Sequence, residues 1–594
     1  MNFESKTPIG NISAKYFFAV VVLGAVALHF LLEASFRLRG LGILLSSLPG
    51  SFALIAFVLG SLLAAGMFLA KKTGSYRASF CVLSPVSLLL FWPAQETPLN
   101  PLIPAGIVLG TQAMVFRLLR SNSKLSAEYG GKMSLVFAVT AFFFSFTAIG
   151  IAQYSNTDFF NGTDWTIYHQ SFWNALHGRG FTNSIAGSNF VCHNTWAYYF
   201  LLPFYGLYPH PLTLWILKTF LFSVSAVPFF LICRNILKKD PPCVLIFSFL
   251  FFPFLVTQNL NAPHEMGYAP FFILWTYYFY QTRRFLFFIG FLIASLLFKE
   301  HMAMLAVAFG LFSCLQKRSL RWVVFPVLLG LLWGIFSFWL IAYYQGIYGV
   351  GTQHNWIMAN TVTRWNSSAG NWLTKGLHFL AGSNLGQWHM SASSLPLFSA
   401  LGFIPPLLGA SSFLALPEYL LNLLCDRPVV FSAIWHYNIT CSLFLLIGSV
   451  EGIRKILESS WLKRRKTDPA KALRFALLLQ LSVILIHSYL WLDFAMVRGG
   501  RVDAQTIAEV SAHIPREASV SAPIRIMALM SDRQTLGFLE RKALEDYVVT
   551  DASVSDPVML ALISVGYDRI FEKNGISVFR KKPPARTATP LRQK

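Results

Sequence analysis

Charge is what this sequence has least of: only 12% of its 594 residues are Asp, Glu, Lys or Arg, against 55% that are hydrophobic. With a mean hydropathy of +0.54 it is far too apolar to present the charged surface of a soluble domain. The seven cysteines are scattered, with no CxxC and no metal-ligand spacing, which excludes a disulfide framework and a zinc module read from sequence. There is no Walker loop, no HExxH, and no GxSxG in a strand-turn-helix setting, so the common soluble-enzyme motifs are missing. No internal repeat of 20 to 50 residues is visible. The first apolar run, 17 to 32, has no small-x-small cleavage site before a soluble sequence and reads as a first span rather than a leader.

What is present is a series of apolar runs of roughly 15 to 22 residues, about the length that a hydrocarbon core of ~30 Å requires. They predict an all-α polytopic membrane protein with about 15 transmembrane helices. Four runs lie before residue 125 (16–34, 50–70, 78–93 and 101–119) and a fifth at 133–153. Ten more follow at 211–233, 243–257, 266–280, 285–298, 301–316, 322–343, 392–410, 411–426, 429–450 and 474–492. The net charge of +22 gathers in short basic clusters between runs, so membrane topology explains it and nucleic acid need not be invoked. If Arg117 to Lys132 is cytoplasmic, alternation places Arg234 to Lys239, Arg283–Arg284, Lys317 to Arg321 and Arg454 to Lys471 inside as well. The long loops 154–210 and 344–391 fall outside, with the aromatic segment Trp196 to Tyr208 at the interface or re-entering. Arg37 and Arg39 run against this order.

After about Trp491 the apolar runs stop. Residues 493–582 read as a small α/β extracytoplasmic domain: a helix over 502–513, strands near 518–521 and 546–550, a helix near 557–565, and strands near 568–572 and 576–580 joined through Asn574-Gly575. The remainder divides into extra N-terminal helices (1–125), a transmembrane core (126–492) and a disordered basic tail (583–594).

An ionised side chain near the bilayer centre costs about 2.5 to 3.5 kcal/mol on insertion scales, so charges at span ends ask for a reason. Alternation puts Asp158, Asp164, His193, His264, Glu265, Lys299, Glu300, His301, Glu418 and His436 all on the outer side. Each has an ordinary explanation: an Asp as turn or helix cap, Lys299 beside Glu300 as a structural pair, a His bonded to a carbonyl. Their common sidedness is more simply explained by one shared cavity. The sequons at Asn161, Asn366 and Asn438 are at chance level.

These residues sit in segments that resemble a family of predicted prokaryotic membrane proteins, domain of unknown function 2079, whose members look like C-type (GT-C) glycosyltransferases. The pieces are GTDWTIYHQSFWNALHGRGF, HNTWAYYFLLPFYGLYP, APHEMGYAPFF, FKEHMAML, ALPEYLLNLLCDRP with WHYN, ASVSAP and DYVVTD; the four spans before 125 fall outside the matched stretch. The resemblance implies a GT-C-like core in the inner (cytoplasmic) membrane. It implies a polyprenyl-phosphate sugar as donor, an extracytoplasmic lipid, glycan or protein acceptor, and an acidic catalytic residue in the first long outer loop, where Asp164 matches and Asp158 competes. His193, His264, Lys299, His301, Glu418 and His436 would meet substrate, with Glu265 or Glu300 orienting them or placing a divalent cation, the one cofactor left open. A transporter or lipid flippase is the rival reading, and a scaffold presenting the C-terminal domain a third; a transporter asks for a midplane site with access from both sides. Sugar, acceptor and oligomeric state are not legible.

Overall fold

A computed structural model describes residues 132–155, 162–349 apart from 242, 371–381, 404–425, 436–460, 504–539, 545–551 and 561–582 apart from 565, with a few single residues between. The four spans expected before 125, the one at 474–492, most of the one at 392–410, the loop 344–391 apart from 344–349, 371–381 and 383, and Asp158 lie outside the described residues.

The first described helix is α1 (Lys132–Ser155), and α2 (Gly162–Leu176) follows the acidic loop. A two-strand hairpin, β1 (Thr182–Asn183) and β2 (Gly187–Ser188), leads through the short α3 (Asn189–Cys192) to α4 (Ala197–Leu207). In α4 one face is buried (Tyr198, Leu201, Tyr205) and the other exposes Tyr199, Phe200, Phe204 and Leu207. An aromatic face of this kind suits a helix lying along a membrane surface.

Helices α5 (Pro211–Val224) and α6 (Ala226–Leu237) join into one apolar stretch of 27 residues, which ends where Lys238 takes a left-handed conformation (φ 58°). The run expected as one span at 243–257 is broken: α7 (Cys243–Leu250) stops short of Pro253, which has no N–H to continue the ladder and starts α8 (Pro253–Leu260) instead. After a 3-10 turn, Glu265–Gly267, come α9 (Ala269–Gln281), α10 (Phe285–Leu296), α11 (Met302–Leu315) and α12 (Leu320–Ile347). The short α13 (Trp372–Ala381) and α14 (Ile404–Leu408) precede the turn Ala410–Ala415, α15 (Leu416–Leu424) and α16 (Ile439–Glu458). The expected span 411–426 is thus a turn plus a nine-residue helix begun by Pro417. Among the described residues, only Pro211–Leu237 and Leu320–Ile347 are long and apolar enough to cross a membrane by that measure alone, so the count of about 15 is not reached there.

The bundle has two chemically distinct ends. Asn235 at the end of α6 bonds Gln281 at the end of α9 (2.9 Å), Arg318 after α11 donates to Tyr280 O (2.7 Å), and Arg454 near the end of α16 donates to Ile236 O (2.7 Å). The C-terminal ends of α6, α9, α11 and α16 therefore meet at one basic end, where cations also complement the helix dipoles. Helices α9, α11 and α16 begin beside Glu265, Lys299 to His301 and His436, so those residues gather at the opposite end.

The C-terminal residues form α17 (Ala504–Ala512), β3 (Val520–Ala522), α18 (Ile524–Met527), β4 (Leu536–Phe538), β5 (Tyr547–Thr550), β6 (Tyr567–Lys573) and β7 (Ile576–Lys581). The sheet order is β4-β3-β5-β7-β6, with β3 parallel to β4 and β5 and the other pairs antiparallel. Asn574 (φ 48°) and Gly575 (φ 77°) close the β6–β7 hairpin with two left-handed residues, as an Asn-Gly turn requires. Strand β4 has no counterpart in the sequence-based expectation.

This sheet unit is bolted to α2. His169 Nδ1 lies 2.7 Å from Ser531 Oγ, Gln170 Nε2 donates to Arg533 O and Gln534 O (both 3.0 Å), and Leu536 N donates to Ser184 Oγ (2.9 Å). The buried Arg533 fastens its own loop by donating to Met530 O (2.8 Å).

Candidate active site

Asp164 occupies the first turn of α2, where a carboxylate is favoured by the helix dipole, and Tyr168 follows one turn later on the same face. Both line a cavity of about 1140 Å³. The opposite wall is the turn after α8, where Ala262-Pro263 delivers His264 and Glu265 to the start of α9. His264 Nε2 lies 2.9 Å from Asp164 Oδ2, at ion-pair distance. Its Nδ1 is 2.8 Å from the Tyr168 hydroxyl, which donates to Glu265 Oε2 at 3.0 Å.

Glu265 is 1% exposed and takes a further bond from Lys299 Nζ at 2.5 Å, while Lys299 Nζ also lies 3.1 Å from His436 Nε2. A carboxylate so fully engaged is an anchor rather than a proton acceptor. Asp164, with 23% of its side chain exposed, is the most exposed of the four carboxylates. Glu300 Oε1 pairs with His193 Nδ1 (3.1 Å), and its Oε2 accepts from Asn194 N (3.2 Å), tying the loop before α4 to the start of α11. Glu418 Oε2 accepts from Cys441 N (2.6 Å), capping α16, and Oε1 lies 3.4 Å from His301 Nε2. Each of the four carboxylates thus has a basic partner.

All the sequence-derived candidates except Asp158 therefore line one cavity. Sequence reasoning passed over Tyr168 and the buried Lys218. Tyr168 had a signal, its spacing of four from Asp164, which becomes meaningful once residues 162–176 are helical.

His264, Glu265 and His436 offer donor atoms within 4.8 Å of one another, the spacing of a metal centre. Lys299 Nζ already contacts two of the three. A divalent ion placed about 3 Å from that ammonium would meet repulsion on the order of 10 kcal/mol even at an effective dielectric of ~20. These donors suit a resident ammonium, not a divalent ion beside it.

The cavity continues away from Asp164 into an apolar groove between α11, α12 and α15. Leu311, Leu331, Ile335, Phe338, Leu416 and Leu420 line it, and all six are also exposed on the side of the bundle (42 to 69%). The groove is therefore open laterally, along a face whose residues suit lipid.

Residues 157–562, more than half of the chain, match the sequence model of a family described as predicted membrane protein, domain of unknown function 2079. The chain belongs to this family. That description agrees with the membrane class expected from the apolar runs, and Asp164 and every other described candidate residue fall inside the matched region. Among curated proteins, none matches. Of solved structures, ArnT from Cupriavidus metallidurans bound to undecaprenyl phosphate is similar with a TM-score of 0.44 at 9% identity, over 76% of this chain and 100% of that one. The same protein in the apo state gives 0.40 at 8%, over 74% and 98%. The Archaeoglobus fulgidus oligosaccharyltransferase in the apo form gives 0.39 at 12%, over 77% and 75%. Likenesses at this level say nothing of reaction or substrate.

Proposed function

We propose that this family member is an integral glycosyltransferase of the inner (cytoplasmic) membrane. It has a GT-C-like core and transfers a sugar from a polyprenyl-phosphate donor to an extracytoplasmic lipid, glycan or protein acceptor. The observation that carries the proposal is the join of two unlike halves in one cavity: a polar end holding Asp164 and His264, and an apolar groove open to the side of the bundle. A substrate with a charged, hydroxyl-rich head and a long hydrocarbon tail fits both at once, with its chain entering from lipid.

In this proposal the Asp164 carboxylate takes the proton of an acceptor hydroxyl as the hydroxyl oxygen bonds to the anomeric carbon. The bond from that carbon to the phosphate oxygen breaks, and its electron pair leaves with the polyprenyl phosphate. His193 and His301, at the rim of the same cavity, are placed to donate to the departing phosphate, and Lys299 adds its charge while holding Glu265 in place. No step needs a divalent ion. The C-terminal sheet, packed on α2, belongs on the side of the membrane where the acceptor waits.

The experiment is a pair of assays on purified protein in proteoliposomes: transfer of label from a panel of polyprenyl-phosphate sugars to membrane acceptors, and movement of the same molecules across the bilayer. Transfer with release of polyprenyl phosphate supports the proposal. Movement without transfer would assign the cavity to a transporter or flippase.

A further inference from the structure

Lys218 lies inside an apolar helix with no exposure at all, and among the described residues it pairs with no acidic side chain. Its ammonium donates to three backbone carbonyls: Gln258 O (3.3 Å), Asn261 O (2.5 Å) and Ala262 O (3.2 Å). These carbonyls lie in and just beyond the last turn of α8, at the helix C-terminus, where a cation is the favoured group. Two residues beyond Ala262 the chain reaches His264 and Glu265. The alkyl stem of Lys218 then runs under the far side of the same turn, so that a Cβ added to Gly267 would stand 2.6 Å from Lys218 Cδ. Lys218 thus grips the site turn both before and after its two functional residues.

The other wall is held from the same place. Lys218 Nζ lies 4.5 Å from the ring centroid of Trp215, one turn earlier on α5. Trp215 stacks on Trp165 (5.5 Å, 12° between planes), the residue next to Asp164. Trp215 is itself fixed by donating to Phe146 O (3.2 Å), and it fits against α1 only because residue 150 is glycine: a Cβ there would stand 2.0 Å from the indole nitrogen.

We propose that Lys218, together with Trp215, is a positioning residue that sets the separation of Asp164 and His264. It touches neither, but it joins the two segments that carry them.

The test is hydrogen exchange of the full chain in lipid nanodiscs without substrate, so its result stands apart from the glycosyl-transfer proposal. In Lys218→Met, exchange should rise about tenfold or more in both 162–170 and 257–268 while 303–315 keeps its protection. Lys218→Arg, which can still donate to the carbonyls, should recover much of the protection at 257–268. Trp215→Phe should loosen 162–170 and spare 257–268, and this arm decides the matter if Lys218→Met does not fold. Unchanged exchange in both segments, or an equal rise through all three in either variant, overturns the proposal. Absence of glycosyl transfer by the wild type would leave this result intact.

Discussion

Asp164 Oδ2 and His264 Nε2, from segments far apart in the sequence, face each other across 2.9 Å at the polar end of the cavity. Tyr168 donates its single proton to Glu265 Oε2, so it accepts from His264 Nδ1. His264 Nε2 is thereby turned toward the Asp164 carboxylate. His264→Gln, which removes the ring nitrogen facing Asp164, should lower kcat for transfer by about tenfold to a hundredfold and leave donor KM unchanged. Steady-state kinetics of the purified variant check this; an unaltered kcat would mean that His264 does no more than fill space.

Lys299 and Glu265 are the most buried ion pair of the site, 2% and 1% exposed. Removing one partner strands the other charge in a dry setting, so Lys299→Met and Glu265→Gln should each cost about 3 to 5 kcal/mol of stability. The double variant should cost less than the sum of the two. Unfolding in detergent by denaturant measures all three, and strict additivity would show that the two side chains do not interact.

Burial pushes the His169 imidazole from 6.5 down to about 3, where α2 meets the C-terminal sheet. Below pH 6.5 the unfolded chain binds a proton at His169 that the folded chain refuses until about pH 3. Its contribution is therefore fully present above 6.5 and is lost as the pH falls through that window. Protection of residues 528–536 against exchange or proteolysis should fall as the pH drops from neutral to about 4, and His169→Gln should flatten that slope. Parallel slopes in the two proteins would remove His169 from the account.

Gly334 lines the apolar groove, and a Cβ there meets only Ala303 Cβ at 3.5 Å, an ordinary contact. Gly334→Phe should fold and fill the groove. Displacing roughly two buried methylenes of a donor chain, at ~0.8 kcal/mol each, should raise KM for a long-chain donor about tenfold. A donor too short to reach the groove should be unaffected. Equal effects on both donors would place the hydrocarbon chain elsewhere.

Much of this arrangement is legible in the sequence, for reasons that are local. Asn574-Gly575 demands left-handed φ at both positions and so announces its hairpin. The gathering of His264, Lys299, Glu300 and His436 at one end follows from counting basic loops, because helix direction alternates. What escaped depends on distant partners. The helical break at Pro253 sits within an otherwise unbroken apolar run. Strand β4 is three residues that pair only because β3 lies alongside. Lys218, in the middle of LWILKTF, lies at no span end, and its acceptors are backbone carbonyls some 40 residues away that no side-chain pattern reveals. The pairing of each carboxylate with its own base is likewise a property of the packed bundle.

The most direct test of the central claim compares the wild type with Asp164→Asn in transfer from a radiolabelled polyprenyl-phosphate sugar to membrane acceptors. Donor binding is measured in parallel on both proteins. The account predicts that Asp164→Asn binds donor normally and loses transfer by about 10²- to 10⁴-fold. Transfer by Asp164→Asn at the wild-type rate would contradict it.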